Sequence, residues 1–267
     1  MITLKVLFIG DLVGEKSLSF LASKIDEFKV EYNPDLIIIN SENVSAGKGC
    51  VEKDGKKLFE IGASVLTGGN HVFDKEKSVE YLEKERRFLR PLNYPQGTKG
   101  NGKIILEINN IKVAIANFQG RVFMSPIDCP FRTAERFIEE TVKITPNIII
   151  DFHAEATAEK LSFLKYFDGK VSAIIGTHTH VQTSDERITK KGTAYITDVG
   201  MTGPYDSVIG MKSESAINKF LYQTPQYYQV AENDIKIAAV FFKINSQTGK
   251  AFYIERIFYP KFIVDAS

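Results

Sequence analysis

The chain has 267 residues, 43% of them hydrophobic and 25% charged, which is an ordinary globular composition and enough length to bury a substantial core. Its formal charge of +1 gives no electrostatic case for long nucleic acid or an anionic membrane as partner. Cys50 and Cys129 are too few and too far apart for a disulfide framework and fit a reducing compartment.

From the N-terminus, "MITLKVLFIGD" carries an apolar run too short for a signal peptide and predicts a first strand. Leu18, Leu21, Ile25 and Phe28 then recur at helical spacing. Two apolar runs follow, "DLIIINS" and "SVLTGG", and a helical pattern over residues 75–86 whose mixed charges suit a solvated face. "KVAIAN" is a strand, residues 133–144 a helix capped by Thr133, "NIIIDFH" a strand, 156–167 a helix, and "VSAIIGT" another strand. Residues 204–233 are poorly periodic, an excursion near the site. "IKIAAVFFKIN" and "GKAFYIERIFY", joined by "SQTG", predict a β-hairpin.

Continuous rather than alternating apolar runs imply strands covered on both faces, as in sheets sandwiched by helices. No linker divides the chain, so a single α/β domain over 1–267 is expected. No run approaches the roughly 20 apolar residues of a membrane span. A cytoplasmic protein with no membrane partner is the expectation.

The unusual residues gather just past the strands. Asp11 follows the first, Glu42 and Asn43 the second, Asn70 and His71 the third, His153 a later one, and His178 and His180 the next. In open α/β sheets, ligands bind in the crevice outside the carboxyl ends of strands. A lone strand-end histidine is more often a hydrogen-bonded loop residue than a ligand. All four histidines of the chain sit at such ends, however, beside two carboxylates and two asparagines. A mixed N/O set of that size exceeds one four-coordinate zinc and suits two divalent ions, which in phosphoesterases lie about 3.5–4 Å apart. In "GTHTH", the single Thr179 between His178 and His180 would aim both rings to one side of an extended backbone.

Weaker signals have bland alternatives of equal weight. Gly47, Lys48 and Gly49 suit a phosphate cradle or a tight turn. Glu155 suits a partner for a histidine or a helix N-terminal acid. The 30 Phe and Tyr residues sit mostly in apolar runs, where core packing is the default.

"FIGDLVG", "SENVSAGKG", "GGNHVFD", "GRVFMSPIDCPF", "DFHAEAT", "IIGTHTHVQTSDERI" and "TDVGMTGPYDSVIGM", in this order, resemble the YmdB-like family of the calcineurin-like metallophosphoesterase superfamily over nearly the whole chain. The sequence departs from the superfamily at two places. Val13 stands in the histidine slot of the usual D-x-H, and "NSENVSAGKG" replaces G-D-x-x-D, with a glutamate for the bridging aspartate.

The resemblance implies a four-layer α/β/β/α sandwich, a dinuclear site and, in homo-oligomeric members, dimers or tetramers. It also implies a phosphodiesterase of small cyclic nucleotides, 2′,3′-cyclic and 3′,5′-cyclic mononucleotides, working by attack of a metal-bound hydroxide. By the same resemblance Asp11, Asn43 and His180 hold one ion, Asn70, His153 and His178 the other, and Glu42 bridges them. His71 is then the residue that is not a ligand and serves the leaving oxygen. The ions are divalent or mixed-valence Fe, Mn or Zn. The alternatives are a metal- or nucleotide-binding regulator acting through partners, or another phosphoesterase: a phosphomonoesterase, phosphoprotein phosphatase or nuclease.

Overall fold

The apolar runs become strands in a computed structural model that describes residues 2–262. In chain order the elements are β1 (Thr3–Ile9), β2 (Asp11–Leu12), α1 (Gly14–Tyr32), β3 (Leu36–Asn40), α2 (Glu52–Glu60), β4 (Val65–Thr67), α3 (Glu76–Lys84) and β5 (Phe88–Leu89). Then come β6 (Lys103–Ile108), β7 (Ile111–Gln119), α4 (Pro130–Thr141), β8 (Ile148–His153), α5 (Thr157–Phe167), β9 (Ala173–Thr177) and β10 (Arg187–Ile188). Last are β11 (Ala194–Ile196), β12 (Met201–Pro204), α6 (Ser213–Tyr222), β13 (Ile235–Asn245) and β14 (Lys250–Tyr259).

Two sheets result. The first has the order β2-β12-β13-β1-β3-β4-β5, with β14 paired to β13 as the expected hairpin. The second has the order β10-β11-β9-β8-β7-β6. Strands β1, β3, β4 and β5 run parallel in the first, and β7, β8, β9 and β11 in the second. Period-two alternation then divides each buried strand between two cores. Leu4, Val6 and Phe8 of β1 meet Ile149 of β8 and Ile175 of β9 between the sheets. Leu7 and Ile9 pack outward against Leu18, Leu21, Ile25 and Phe28 of α1. Ile148, Ile150 and Phe152 of β8 pack the other way, against Phe137 of α4 and Phe163 of α5. Helices therefore cover the outer face of each sheet, giving the four-layer α/β/β/α sandwich.

Two local expectations are corrected, and one strand lay outside them. The helix expected from Thr133 starts at Pro130 with Cys129 at the cap, because proline at the first position needs no hydrogen-bonded N–H. The sparsely periodic 204–233 segment contains α6, of which only Ala216 is buried, so it carries no apolar stripe for a pattern to show. "KIILEI" is β6, which among the described residues pairs only with β7 and alternates between exposed and half-buried positions. Both cysteines are free, Cys50 buried and Cys129 partly exposed. Among the described residues no helix is long and apolar enough to cross a membrane.

Candidate metal centre

The site arises where the inward register of the parallel strands changes from apolar to polar. Leu36 and Ile38 are followed at period two by Asn40, Val65 by Thr67, Ile149 by Asp151 and His153, and Ala173 and Ile175 by Thr177. All these polar residues are fully buried. They cap the core between the sheets, and the loops just beyond them supply the remaining residues of the centre.

His153 is the hub. Its Nε2 lies 2.9 Å from Glu42 Oε1, 3.0 Å from His178 Nδ1 and 3.1 Å from Asn70 Oδ1. Glu42, His153 and His178 present ligand atoms all within 4.8 Å of one another. Asp11 adjoins this group: its Oδ2 accepts from the His178 N–H at 3.0 Å, and its Oδ1 is 3.8 Å from His153 Nδ1. Asn43 and His180 come from the loops after β3 and β9 and make no hydrogen bond to the other five residues. The His180 Nδ1–H donates to the Ile209 carbonyl at 2.9 Å, which leaves Nε2 as its acceptor atom. Asn43 donates through Nδ2 to the Gly47 carbonyl at 2.9 Å.

Whether these residues suit a cation is answered by the oxygens that have no partner. Asp11 Oδ1 and Asn43 Oδ1 are buried and accept no hydrogen bond, and buried Glu42 Oε1 has only His153 Nε2 beside it. Each such acceptor costs about 1–3 kcal/mol. A cation would offset that cost, and two such acceptors beside the Glu42 carboxylate in one N/O set fit one. The absence of thiolate favours Fe, Mn or Zn held by imidazole and oxygen over a structural zinc cage.

Burial disfavours the His153 imidazolium, but Glu42 beside it, with Asp11 and Asp151, raises the ring to about 9 in the metal-free protein. Burial likewise pushes the Glu42 carboxyl up, and the His153 charge outweighs it and brings it to about 2. The pair therefore stabilises the metal-free fold fully between pH 4.5 and 6.5, and that share is lost as pH rises through about 9. A cation bound at Nε2 displaces a proton, so its affinity should rise about tenfold per pH unit between pH 6.5 and 9 and then level off. Competition of Mn²⁺ with a fluorescent chelator across that range measures this. A flat profile would remove His153 from the ligand set.

The loop after β9 is not extended, which corrects the expectation drawn from Thr179. His178 and His180 have φ of 101° and 65°, a left-handed region that costs most side chains about 1–3 kcal/mol. A buried ion pair holds that loop. Lys160 of α5 donates to the Thr177 carbonyl and to Asp198 Oδ2, both at 2.7 Å. Asp198 in turn accepts from the Thr179 N–H at 2.9 Å and the Gly200 N–H at 2.8 Å. Across the site, a Cβ on Gly69 would collide with the Glu42 carboxylate and the His153 ring, so only glycine permits that approach.

His71 stands apart from the cluster. Its backbone N–H donates to Glu42 Oε2 at 3.2 Å, while its ring Nδ1 lies 2.9 Å from Asp74 Oδ2. The Lys48 ammonium pairs with the same Asp74 oxygen at 2.9 Å. Gly47 and Gly49 have φ of 86° and 67°, so the glycines make a turn and Lys48 reaches the His71 partner. Glu155 Oε2 lies 3.0 Å from His178 Nε2. Sequence reasoning missed Asp74, Asp198, Lys160 and the Ile209 carbonyl. Only Asp74, three residues after His71, carried a signal in the chain.

Residues 7–257 match the YmdB-like protein family. The 2′,3′-cyclic-nucleotide 2′-phosphodiesterase of Bacillus subtilis is 46% identical, covering 95% of this chain and 96% of the relative. A crystal structure of a novel phosphatase from Mycoplasma pneumoniae superposes with a TM-score of 0.92 at 36% identity, covering 97% of this chain and 94% of that one. A hypothetical protein from Thermus thermophilus does so with a TM-score of 0.90 at 37% identity, covering 96% and 99%.

Proposed function

The chain belongs to the YmdB-like family, and from that membership we propose that it is a dinuclear metal-dependent phosphodiesterase of 2′,3′-cyclic mononucleotides, with 3′,5′-cyclic mononucleotides as a second substrate class. The observation that supports this reading is the Glu42, His153 and His178 group, whose ligand atoms lie within 4.8 Å of one another, beside the partnerless buried oxygens of Asp11 and Asn43. In this reading Asp11, Asn43 and His180 would hold one ion, Asn70, His153 and His178 would hold the second, and the Glu42 carboxylate would be available to both. When bound, the ions supply Lewis acidity for the phosphoryl oxygens and lower the pKa of water.

The rest of the work falls to the chain. Asp74 accepts from His71 Nδ1–H, so Nε2 is the atom that can exchange a proton with the leaving ribose oxygen. The rigid sheet ends keep that ring and the ligand set in fixed register, which is the positional part of catalysis. The near-neutral chain suits a small substrate better than a polynucleotide. The test is hydrolysis of 2′,3′-cyclic AMP and 3′,5′-cyclic AMP by protein loaded with Mn²⁺, with metal content measured on the same sample. Turnover of the 2′,3′-cyclic substrate that disappears on chelation is expected. Protein carrying two ions per chain that hydrolyses neither nucleotide would sink the reading.

A further inference from the structure

Under the hub histidine lies a buried carboxylate to which the reaction assigns nothing. Asp151 of β8 is fully buried and two residues before His153, on the same face of the strand. Three donors from three other strands converge on it. Thr67 Oγ1 donates to Oδ2 at 2.5 Å, Asn40 Nδ2 to Oδ2 at 3.0 Å, and Thr177 Oγ1 to Oδ1 at 2.7 Å. The Asn40 orientation is fixed independently, because its Oδ1 accepts the Glu42 N–H at 3.2 Å. Its Nδ2 is therefore a donor toward Asp151, as a carboxylate requires.

The Thr177 hydroxyl has one proton, and Asp151 takes it. Thr177 Oγ1 also lies 2.9 Å from His153 Nδ1, and with its proton spent it can only accept there. Nδ1 must then carry the donated proton, which leaves the lone pair of a neutral ring on Nε2. That atom is the one facing Glu42, Asn70 and His178.

We infer that Asp151 is a positioning residue for the metal centre: acting through the Thr177 hydroxyl, it fixes the tautomer and ring angle that present His153 Nε2 to a cation. The inference rests on the reading of His153 as a ligand. Carboxylates placed behind metal-bound histidines typically contribute 10–100-fold in affinity. Here a threonine hydroxyl stands between the two, and the same carboxylate ties the first sheet to the second through Asn40 and Thr67.

A purely structural role for Asp151 makes a different forecast, and Thr67 separates the two. Thr67→Val and Thr177→Val each remove one hydroxyl from Asp151, and only Thr177 touches His153. Both variants should lose a similar few degrees of Tm. Mn²⁺ affinity, measured by chelator competition on full-length protein, should fall roughly 10–100-fold in Thr177→Val alone. It should return to within about threefold of wild type in Thr177→Ser, which keeps the hydroxyl. The visible spectrum of the Co²⁺-loaded protein should change in Thr177→Val and not in Thr67→Val. Equal affinity losses in the two valine variants, or none in Thr177→Val, overturn the inference. His153→Ala run beside them tests the underlying reading, because full metal content in that variant removes His153 as a ligand and the inference with it.

Discussion

His71→Ala should lower kcat on 2′,3′-cyclic AMP by about 10²–10⁴-fold while leaving the metal content and KM close to those of the unmodified protein. The separation follows from how His71 is attached. Its link to the cluster is a backbone N–H to Glu42 Oε2, which alanine keeps. Its ring instead joins Asp74, outside the ligand set, and Asp74 is braced by Lys48. On the proposed roles, removing the imidazole would take away a proton donor without disturbing a ligand. The defect should shrink for a phosphodiester whose leaving group is an acidic phenol, since such an oxygen departs without a proton. Asp74→Asn should give a smaller loss of the same kind, as the ring loses its orientation and not its chemistry. An alanine variant that sheds its metal as well, or turns over normally, would show that His71 does something else.

What could be read from the chain alone follows a physical division. The side chains proposed as ligands are rare types in unusual places, so His153 at the end of "NIIIDFH" or Asn70 in "GGNH" stands out against an apolar run. The groups that hold them do not stand out. Thr177 and Thr67 look like ordinary strand residues, and only the three-dimensional pairing of Thr67 and Thr177 with Asp151 gives their hydroxyls a task. Lys160 sits in a helix among other charged residues, yet it is fully buried against Asp198. The Ile209 carbonyl that orients His180 has no side-chain signature at all. The layers were legible because continuous apolar runs require cover on both faces. The left-handed turns at His178 and His180 were not, because they are imposed by Asp11 and Asp198 from distant parts of the chain.

The two buried carboxylates of the centre should respond in opposite ways when neutralised, although both losses empty the site. Glu42→Gln breaks a buried charge pair, an effect worth about 3–5 kcal/mol, so Mn²⁺ affinity should fall on the order of 10²–10⁴-fold, with activity following metal content. In the metal-free protein the same change removes the partner of His153. Burial pushes the Glu42 carboxyl up, but His153 holds it near 2, so Glu42 stabilises the metal-free fold above pH 4.5 and the share fades as pH falls toward 2. Glu42→Gln should therefore lower the metal-free Tm at neutral pH.

Asp11 has the reverse sign. Burial raises its carboxyl well above the usual range, His153 opposes that, and Asp198 and Glu42 add to it. An ionised Asp11 thus destabilises the metal-free fold increasingly as pH rises past 3.8. Asp11→Asn can still accept the His178 N–H through its amide oxygen, so the loop keeps its anchor. Its metal-free Tm at neutral pH should rise, while the increase in Tm on adding Mn²⁺, set by mass action on the bound state, should shrink or vanish. Calorimetry of both variants with and without Mn²⁺ measures all four quantities. Opposite shifts in the metal-free proteins with a common loss of the metal-induced increment would mean that Asp11 is kept at a cost to the fold, for the cation. Equal shifts of one sign would mean that the burial of these carboxylates is ordinary packing.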